Sequence, residues 1–284
     1  MQTLTTLPDL RAALAPLPKP LGLIPTMGYL HAGHLSLVHT ARMACETVVA
    51  TIFVNPTQFG PNEDLAAYPR DMEGDLTKLR NEGTDVVWTP TKEDMYPSGF
   101  QTWVNVDELT QYLEGAMRPG HFRGVTTVVA KLFNAIRPDK AYFGQKDAQQ
   151  VAVIKQMVRD LSYPLEIVVC PTMREFDGLA MSSRNAYLKG DERRAATVLY
   201  RALNAAKSAY KSGERSANTL RHLMADTLRA EPLAKMQYVS CAHPLTLKDL
   251  DWVEQDALFS MAVYVGRTRL IDNFLLEGGK WVTG

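Results

Sequence analysis

The chain has 284 residues, 46% of them hydrophobic, which is enough apolar surface for one large domain or two modest ones and excludes disordered and fibrous classes. Lys+Arg and Asp+Glu number 31 each, so the formal net charge is zero. A protein whose main partner is a nucleic-acid backbone needs a cationic surplus, so nucleic acid is excluded as the main partner, although a local cationic pocket is not.

In chain order, the run at residues 21–24 predicts a strand that stops at Pro25, and the spacing over 35–45 predicts a helix. Residues 48–54 form a β-branched run bounded by Asn55-Pro56. A helix is predicted over 71–82 and a short strand over 85–89. A helix over 125–136 is stopped by Pro138, a short strand covers 141–143, a helix 147–161 and a strand 166–170. Strands alternating with helices, several of them continuously apolar, predict an α/β fold with a Rossmann-like parallel sheet covered by helices on both faces.

The pattern changes near residue 173. A long helix is predicted over 191–212, with Asp191 as N-cap and Gly213 just past its end. A second helix over 216–230 stops at Pro232, and β-rich segments follow at 236–241, 257–265 and 268–276. This predicts a smaller α+β C-terminal domain, with residues 1–172 and 173–284 as the two domains.

Cys45, Cys170 and Cys241 are far apart and match no metal or redox spacing, which suits free thiols in a reducing cytoplasm. The N-terminal stretch lacks the basic-then-apolar pattern of a signal peptide, and no apolar run approaches the ~20 residues needed to span a bilayer. The expectation is a cytoplasmic protein with no membrane partner.

The densest candidate for chemistry is PTMGYLHAGH at residues 25–34, which follows the first strand of the sheet and opens its first helix. Ligands of open α/β sheets bind at the carboxyl ends of strands, and helix N-termini attract phosphate. Gly28 and Gly33 let backbone approach a ligand. His31 and His34, three residues apart, face the same way and can donate to phosphoryl oxygens. A turn with two surface histidines and a zinc pair are the alternatives, but no third ligand is near in sequence. The segment is neither a Walker loop nor a Gly-x-Gly-x-x-Gly motif.

Three more segments carry suitable groups. In FGQKDAQQ at 143–150, Lys146 offers a mobile cation, and Asp147 a helix cap or help in holding a metal ion. In DGLAMSSRN at 177–185, Ser182, Ser183 and Arg184 form a candidate phosphate clamp. In FVNPTQFG at 53–60, Asn55-Pro56 marks a turn and Gln58 offers an amide able to hold a carboxylate without neutralising it. The stretch 60–70, GPNEDLAAYPR, has the polar, Pro/Gly-containing composition of a lid.

Taken together and in this order, with RPGHFRGV at 118–125, these segments resemble the pantothenate synthetase (pantoate–β-alanine ligase) family over essentially the whole chain. His-x-Gly-His alone indicates only the wider nucleotidyltransferase superfamily; the ordered set is specific. The resemblance implies a two-step reaction, in which ATP and (R)-pantoate form pantoyl adenylate and pyrophosphate with Mg²⁺, and β-alanine then displaces AMP. It also implies a homodimer of chains with a Rossmann-like N-terminal domain and a smaller C-terminal lid domain.

Residue by residue, His31 and His34 match the histidines that contact ATP phosphates, with His34 as proton donor. Met27, Gly28, Tyr29, Leu30, Ala32 and Gly33 match the rest of the ATP loop. Gly144, Gln145, Lys146 and Asp147 match a second nucleotide loop, Met173 an adenine-side backbone contact, and Met181, Ser182, Ser183 and Arg184 a third ATP segment. Gln58 and Gln150 match the glutamines that hold pantoate, with Gln58 also near β-alanine. His34, His31, Lys146 and Arg184 are thereby the implied catalytic set; Mg²⁺ is implied through the ATP phosphates, with no protein metal ligands. The family more often has an acid at position 145 and an aromatic at 148, where this chain has Gln145 and Ala148.

Overall fold

The structure is a computed structural model that describes residues 1–61 and 63–282, and its elements are those of the described residues. Asn62, inside the stretch expected to be a lid, lies outside them, as do Thr283 and Gly284. The order of elements is β1 (Gln2–Leu4), α1 (Leu7–Leu14), β2 (Leu21–Thr26), α2 (Ala32–Ala44), β3 (Thr47–Ile52), α3 (Met72–Asn81), β4 (Val86–Trp88), α4 (Lys92–Met95), α5 (Leu113–Met117), α6 (His121–Ile136), β5 (Lys140–Gly144), α7 (Ala148–Asp160) and β6 (Glu166–Cys170). They continue as α8 (Gly190–Ala195), α9 (Val198–Lys211), α10 (Ala217–Arg229), β7 (Ala234–Ala242), β8 (Ala257–Val265), β9 (Thr268–Glu277) and β10 (Lys280–Val282).

The chain divides into two compact units. The first, residues 1–111, 115–145 and 150–170, is built on a six-stranded sheet in the order β1-β4-β3-β2-β5-β6. Every pairing in it is parallel. All six residues of β3 are buried, as a strand covered by helices on both faces requires. The strand order reverses between β2 and β5, so the sheet has its switch point, the usual ligand crevice, at the carboxyl ends of those two strands.

β2 runs through Pro25 rather than stopping at it. Thr26 turns its carbonyl toward β3, where it accepts the Phe53 N–H, so alternation turns Pro25 toward β5. The ladder to β5 covers only Gly22 and Leu23, so no bond is lost where proline lacks its N–H. The N-terminal β1 and α1 are not among the elements expected from the sequence. Three-residue β1 exists through pairing with β4, and α1 is capped by Thr6, which accepts the Asp9 N–H.

The second unit, residues 112–114, 146–149 and 171–284, holds a four-stranded sheet in the order β10-β9-β8-β7, antiparallel throughout. The helices α9 and α10 pack apolar faces into its core, with Leu199, Leu203, Leu220 and Met224 against Phe259, Met261 and Phe274. The single helix expected over 191–212 is two, α8 and α9. Thr197 donates its hydroxyl to the Arg194 carbonyl and competes with the helical ladder at the join. Asp191 is not the N-cap, which is Lys189; it lies in the first turn of α8, paired with Arg194. No helix of the described residues is long and apolar enough to cross a membrane.

Candidate active site

The turn after β2 leaves the sheet at its switch point. Thr26 donates its hydroxyl to the Thr51 carbonyl and accepts the Gly28 N–H, which starts the turn. Gly28 has φ +84, and a Cβ there would meet Asp75 Oδ2 and Ile52 Cγ2 at 3.1 Å each, so the position requires glycine. Tyr29 follows with φ 53, a left-handed conformation that costs a non-glycine residue roughly 1–2 kcal/mol. The compensation is visible: Asp75 accepts the Tyr29 N–H at 2.6 Å and the Leu30 N–H at 2.7 Å.

His31 caps α2, its Nδ1 accepting the Gly33 N–H at 3.1 Å. His34 reaches back so that its Nδ1 accepts the His31 N–H at 3.4 Å. The two ring centroids are 4.1 Å apart. A ring nitrogen that accepts carries no proton, so each neutral imidazole bears its proton on Nε2. The local fold therefore presets both rings as Nε2–H donors.

Gln58 ends a 3-10 turn, Pro56–Gln58, that follows β3. Its amide donates to Met27 Sδ at 3.3 Å, which brings this glutamine to the turn after β2. Its Oε1 accepts from Asn55 Nδ2 at 3.0 Å. Asn55 is 1% exposed and fully engaged, also donating to the Gly124 carbonyl and accepting from the Thr57 and Tyr96 hydroxyls. Burial raises the Tyr96 hydroxyl above its ordinary value, and its bonds to Thr57 and Asn55 act the other way. The turn lies so close to α6 that a Cβ on Gly124 would sit 2.4 Å from the Thr57 carbonyl oxygen.

Behind Gln58, the His121 ring donates through Nδ1 to the Gln58 carbonyl at 2.8 Å, and its Nε2 faces Arg118 Nη1 at 3.1 Å. Arg118 grips both carboxylate oxygens of Glu63, at 2.7 and 2.6 Å. Burial pushes the Glu63 carboxyl up, but the hydrogen bond and charge of Arg118 outweigh it and hold the group below its ordinary value. Within the stretch expected as a lid, Glu63 is thus held by an ion pair, and Tyr68 is buried against Phe59.

The remaining expected residues fall in both units. Gly144 ends β5 at the switch point, and Gln145 is buried in the 3-10 turn Gln145–Asp147. Gln150 lies in the first turn of α7. In the second unit, the Lys146 carbonyl accepts from Asn273 Nδ2 at 2.8 Å, Asp147 is exposed, and the Met181 N–H donates to the Met173 carbonyl at 2.9 Å. Ser182 caps the 3-10 turn Ser183–Tyr187 by accepting the Arg184 N–H at 3.2 Å, and Ser183 is buried. Arg174, next to Met173, is committed to a buried pair with Asp272.

Sequence reasoning missed Asp75, Arg118 and His121 as site-shaping groups and read Asn55 only as a turn former. Asp75 had no distinctive signal, since an acid in a first helical turn reads as a dipole partner. Among the described residues no three His, Cys, Asp or Glu side chains gather as metal ligands.

The family model for pantoate-beta-alanine ligase matches residues 2–275. The pantothenate synthetase of Herpetosiphon aurantiacus is 56% identical over 277 residues, 97% of this chain and 100% of that one. That of Chloroflexus aurantiacus is 58% identical over 279 residues, 98% of this chain and 99% of its own. The crystal structure of pantothenate synthetase from Thermus thermophilus superposes with a TM-score of 0.93 at 48% identity, covering 96% of this chain and 98% of that one. The Francisella tularensis pantoate-beta-alanine ligase, complexed with beta-gamma ATP and beta-alanine, gives 0.80 at 35% identity with 97% of each chain covered. A turn that presets two imidazoles at the switch point of a parallel sheet, a glutamine held beside it and these full-length similarities agree: the chain belongs to the pantoate–β-alanine ligase family.

Proposed function

We propose that this chain joins (R)-pantoate to β-alanine at the expense of ATP, through a pantoyl adenylate. A pantoate carboxylate oxygen attacks the α-phosphorus, forming a P–O bond while the α–β bridge breaks and pyrophosphate leaves. The β-alanine amine then attacks the acyl carbon, the bond to AMP breaks, and the amine loses a proton. The observation that carries the reading is the capped turn His31–His34, whose Nε2–H groups are preset donors at the switch point.

In this reading, residues 1–172 form the nucleotide- and pantoate-binding domain and 173–284 a smaller lid domain. His31, His34, Lys146 and Arg184 stabilise charge that grows on the α-phosphate and the leaving pyrophosphate. The backbone from Met27 to Gly33, Gly144, Gln145, Asp147, Met173, Met181, Ser182 and Ser183 complete the ATP contacts. Gln58 and Gln150 hold pantoate, and Gln58 also meets β-alanine. Neutral amides suit an attacking carboxylate, because pairing it with arginine would stabilise the ground state and blunt the nucleophile.

Mg²⁺ would be held through the oxygens of ATP, as the resemblance to the family implies, and would supply charge neutralisation there. An acyl adenylate hydrolyses in water, so the 60–70 stretch, held through Glu63 and Tyr68, is proposed to shield it. The resemblance to the family further supports a homodimer in the cytoplasm. The experiment is an AMP assay with pantoate and β-alanine each omitted in turn. AMP release that depends on both supports the reading, and release without β-alanine overturns it.

A further inference from the structure

Asp75 stands in the first turn of α3, yet it is 1% exposed while its neighbour Glu73 is exposed. Its carboxylate turns to a segment 45 and 46 residues upstream and takes two consecutive N–H groups, those of Tyr29 and Leu30. Lys78, one turn along α3, lies 3.7 Å from Asp75 Oδ1 and donates its Nζ to the Leu30 carbonyl at 2.9 Å. Leu30 is therefore held by both its N–H and its C=O, and the next residue is His31. The Tyr29 and Leu30 amides, of a kind that cradles anions, are occupied by the protein's own carboxylate, so the turn offers a nucleotide its imidazoles and its other backbone groups rather than these two.

We infer that Asp75, supported by Lys78, is a positioning residue for the ATP reaction. It holds the left-handed Gly28–Tyr29 backbone from which the His31 and His34 rings project, so that the donors stand in place before charge develops. It acts through the backbone and not on substrate. The inference rests on the reading of the His31–His34 turn as the phosphate-contacting element.

The test uses the full chain carrying Asp75→Asn, Asp75→Ala or Lys78→Met, with Leu79→Ala, a core change on the same helix, as the control for stability alone. Pantoate-dependent ATP–pyrophosphate exchange is measured with KM for each substrate, alongside circular dichroism and thermal melting. Misplacing the donors is expected to raise KM for ATP about tenfold and to lower kcat roughly 10–100-fold in Asp75→Asn, with KM for pantoate unchanged. Asp75→Ala is expected to be worse, since asparagine keeps one acceptor, and Lys78→Met to move the same way by about threefold. A merely structural role lowers the folded fraction, hence kcat alone, as expected for Leu79→Ala.

A folded Asp75→Asn with parental KM for ATP and parental kcat overturns the inference, as does an equal rise in KM for ATP in Leu79→Ala. Should Asp75→Asn fail to fold, Lys78→Met decides: a raised KM for ATP supports the inference and a parental one overturns it. Normal exchange in His34→Ala overturns the site reading and this inference together; impaired His34→Ala beside normal Asp75→Asn overturns this inference alone.

Discussion

The Nδ1 of His34 accepts the N–H of His31, which closes the first turn of α2 around its own two imidazoles. Both rings are thereby held in the tautomer that donates through Nε2. Removing one preorganised donor to a developing oxyanion typically costs about 2.7–4 kcal/mol, a factor of roughly 10²–10³ in rate. His34→Ala is expected to lose pyrophosphate exchange by that factor with little change in melting temperature. His31→Ala should lose rate and also about 1 kcal/mol of stability, because it removes the helix cap. Exchange assays and urea denaturation of the two variants separate these effects, and unimpaired exchange in either contradicts the assignment.

The Gln58 turn is set by its contact with α6 and by Asn55. Gly124→Ala drives a methyl into the Thr57 carbonyl, 2.4 Å from the ideal Cβ position, so the turn must shift. Asn55→Ala removes the amide that the Gly124 carbonyl and the Tyr96 hydroxyl each bond, at about 1–3 kcal/mol for a buried group. Both variants are expected to raise KM for pantoate about tenfold and leave KM for ATP near parental. Steady-state kinetics with each substrate varied checks this, and an effect confined to ATP contradicts it.

The Glu63–Arg118 pair predicts an acid limb in stability. The folded Glu63 carboxyl titrates below its ordinary value of 4.5, so the folded state favours the charged form. The stability this contributes is fully present above 4.5 and is lost as pH falls through the lower folded value. Glu63→Gln removes that contribution and should flatten the decline in stability below this pH, while at neutral pH the variant is modestly less stable. Urea denaturation at a series of pH values measures it; an unchanged acid limb in Glu63→Gln contradicts the prediction.

Glu114 anchors a polar cluster of the second unit. It takes both Nη atoms of Arg269, at 2.7 and 2.8 Å, and the Tyr238 hydroxyl at 3.0 Å. Burial and the Glu114 charge raise the Tyr238 hydroxyl well above its ordinary value, so Tyr238 stays a neutral donor. Breaking such a buried pair from one side costs about 3–5 kcal/mol, because it strands the other charge. Glu114→Ala is therefore expected to destabilise by that order, and Tyr238→Phe by about 1 kcal/mol. Equilibrium denaturation checks both; near-parental stability in Glu114→Ala contradicts the account.

The alternation of strands and helices was legible because it is written in local apolar periodicity: β6 has its expected bounds and β3 lies within two residues of them. The turn that carries His31 and His34 was legible as a candidate because glycine and histidine have few other reasons to crowd a strand-to-helix junction. Three-residue β1 was not, since so short a strand exists only through its pairing with β4. The division of the expected 191–212 helix was not either, since neither proline nor glycine marks it and only the Thr197 hydroxyl does. Asn55 was seen as a turn former, but its grip on the Gly124 carbonyl, 69 residues away, was not.

The sequence by itself determined the class of fold, the ordered motifs and the kinds of group available to the reaction, because these follow from composition, period and short-range spacing. Only the tertiary structure decided which groups meet. Asp75 finds Leu30 across 45 residues and Arg269 finds Glu114 across 155, and no local preference encodes either pairing. Strand order and packing bring such partners together, and burial then makes each bond obligatory, since a buried polar group left without a partner costs more than the bond is worth in water.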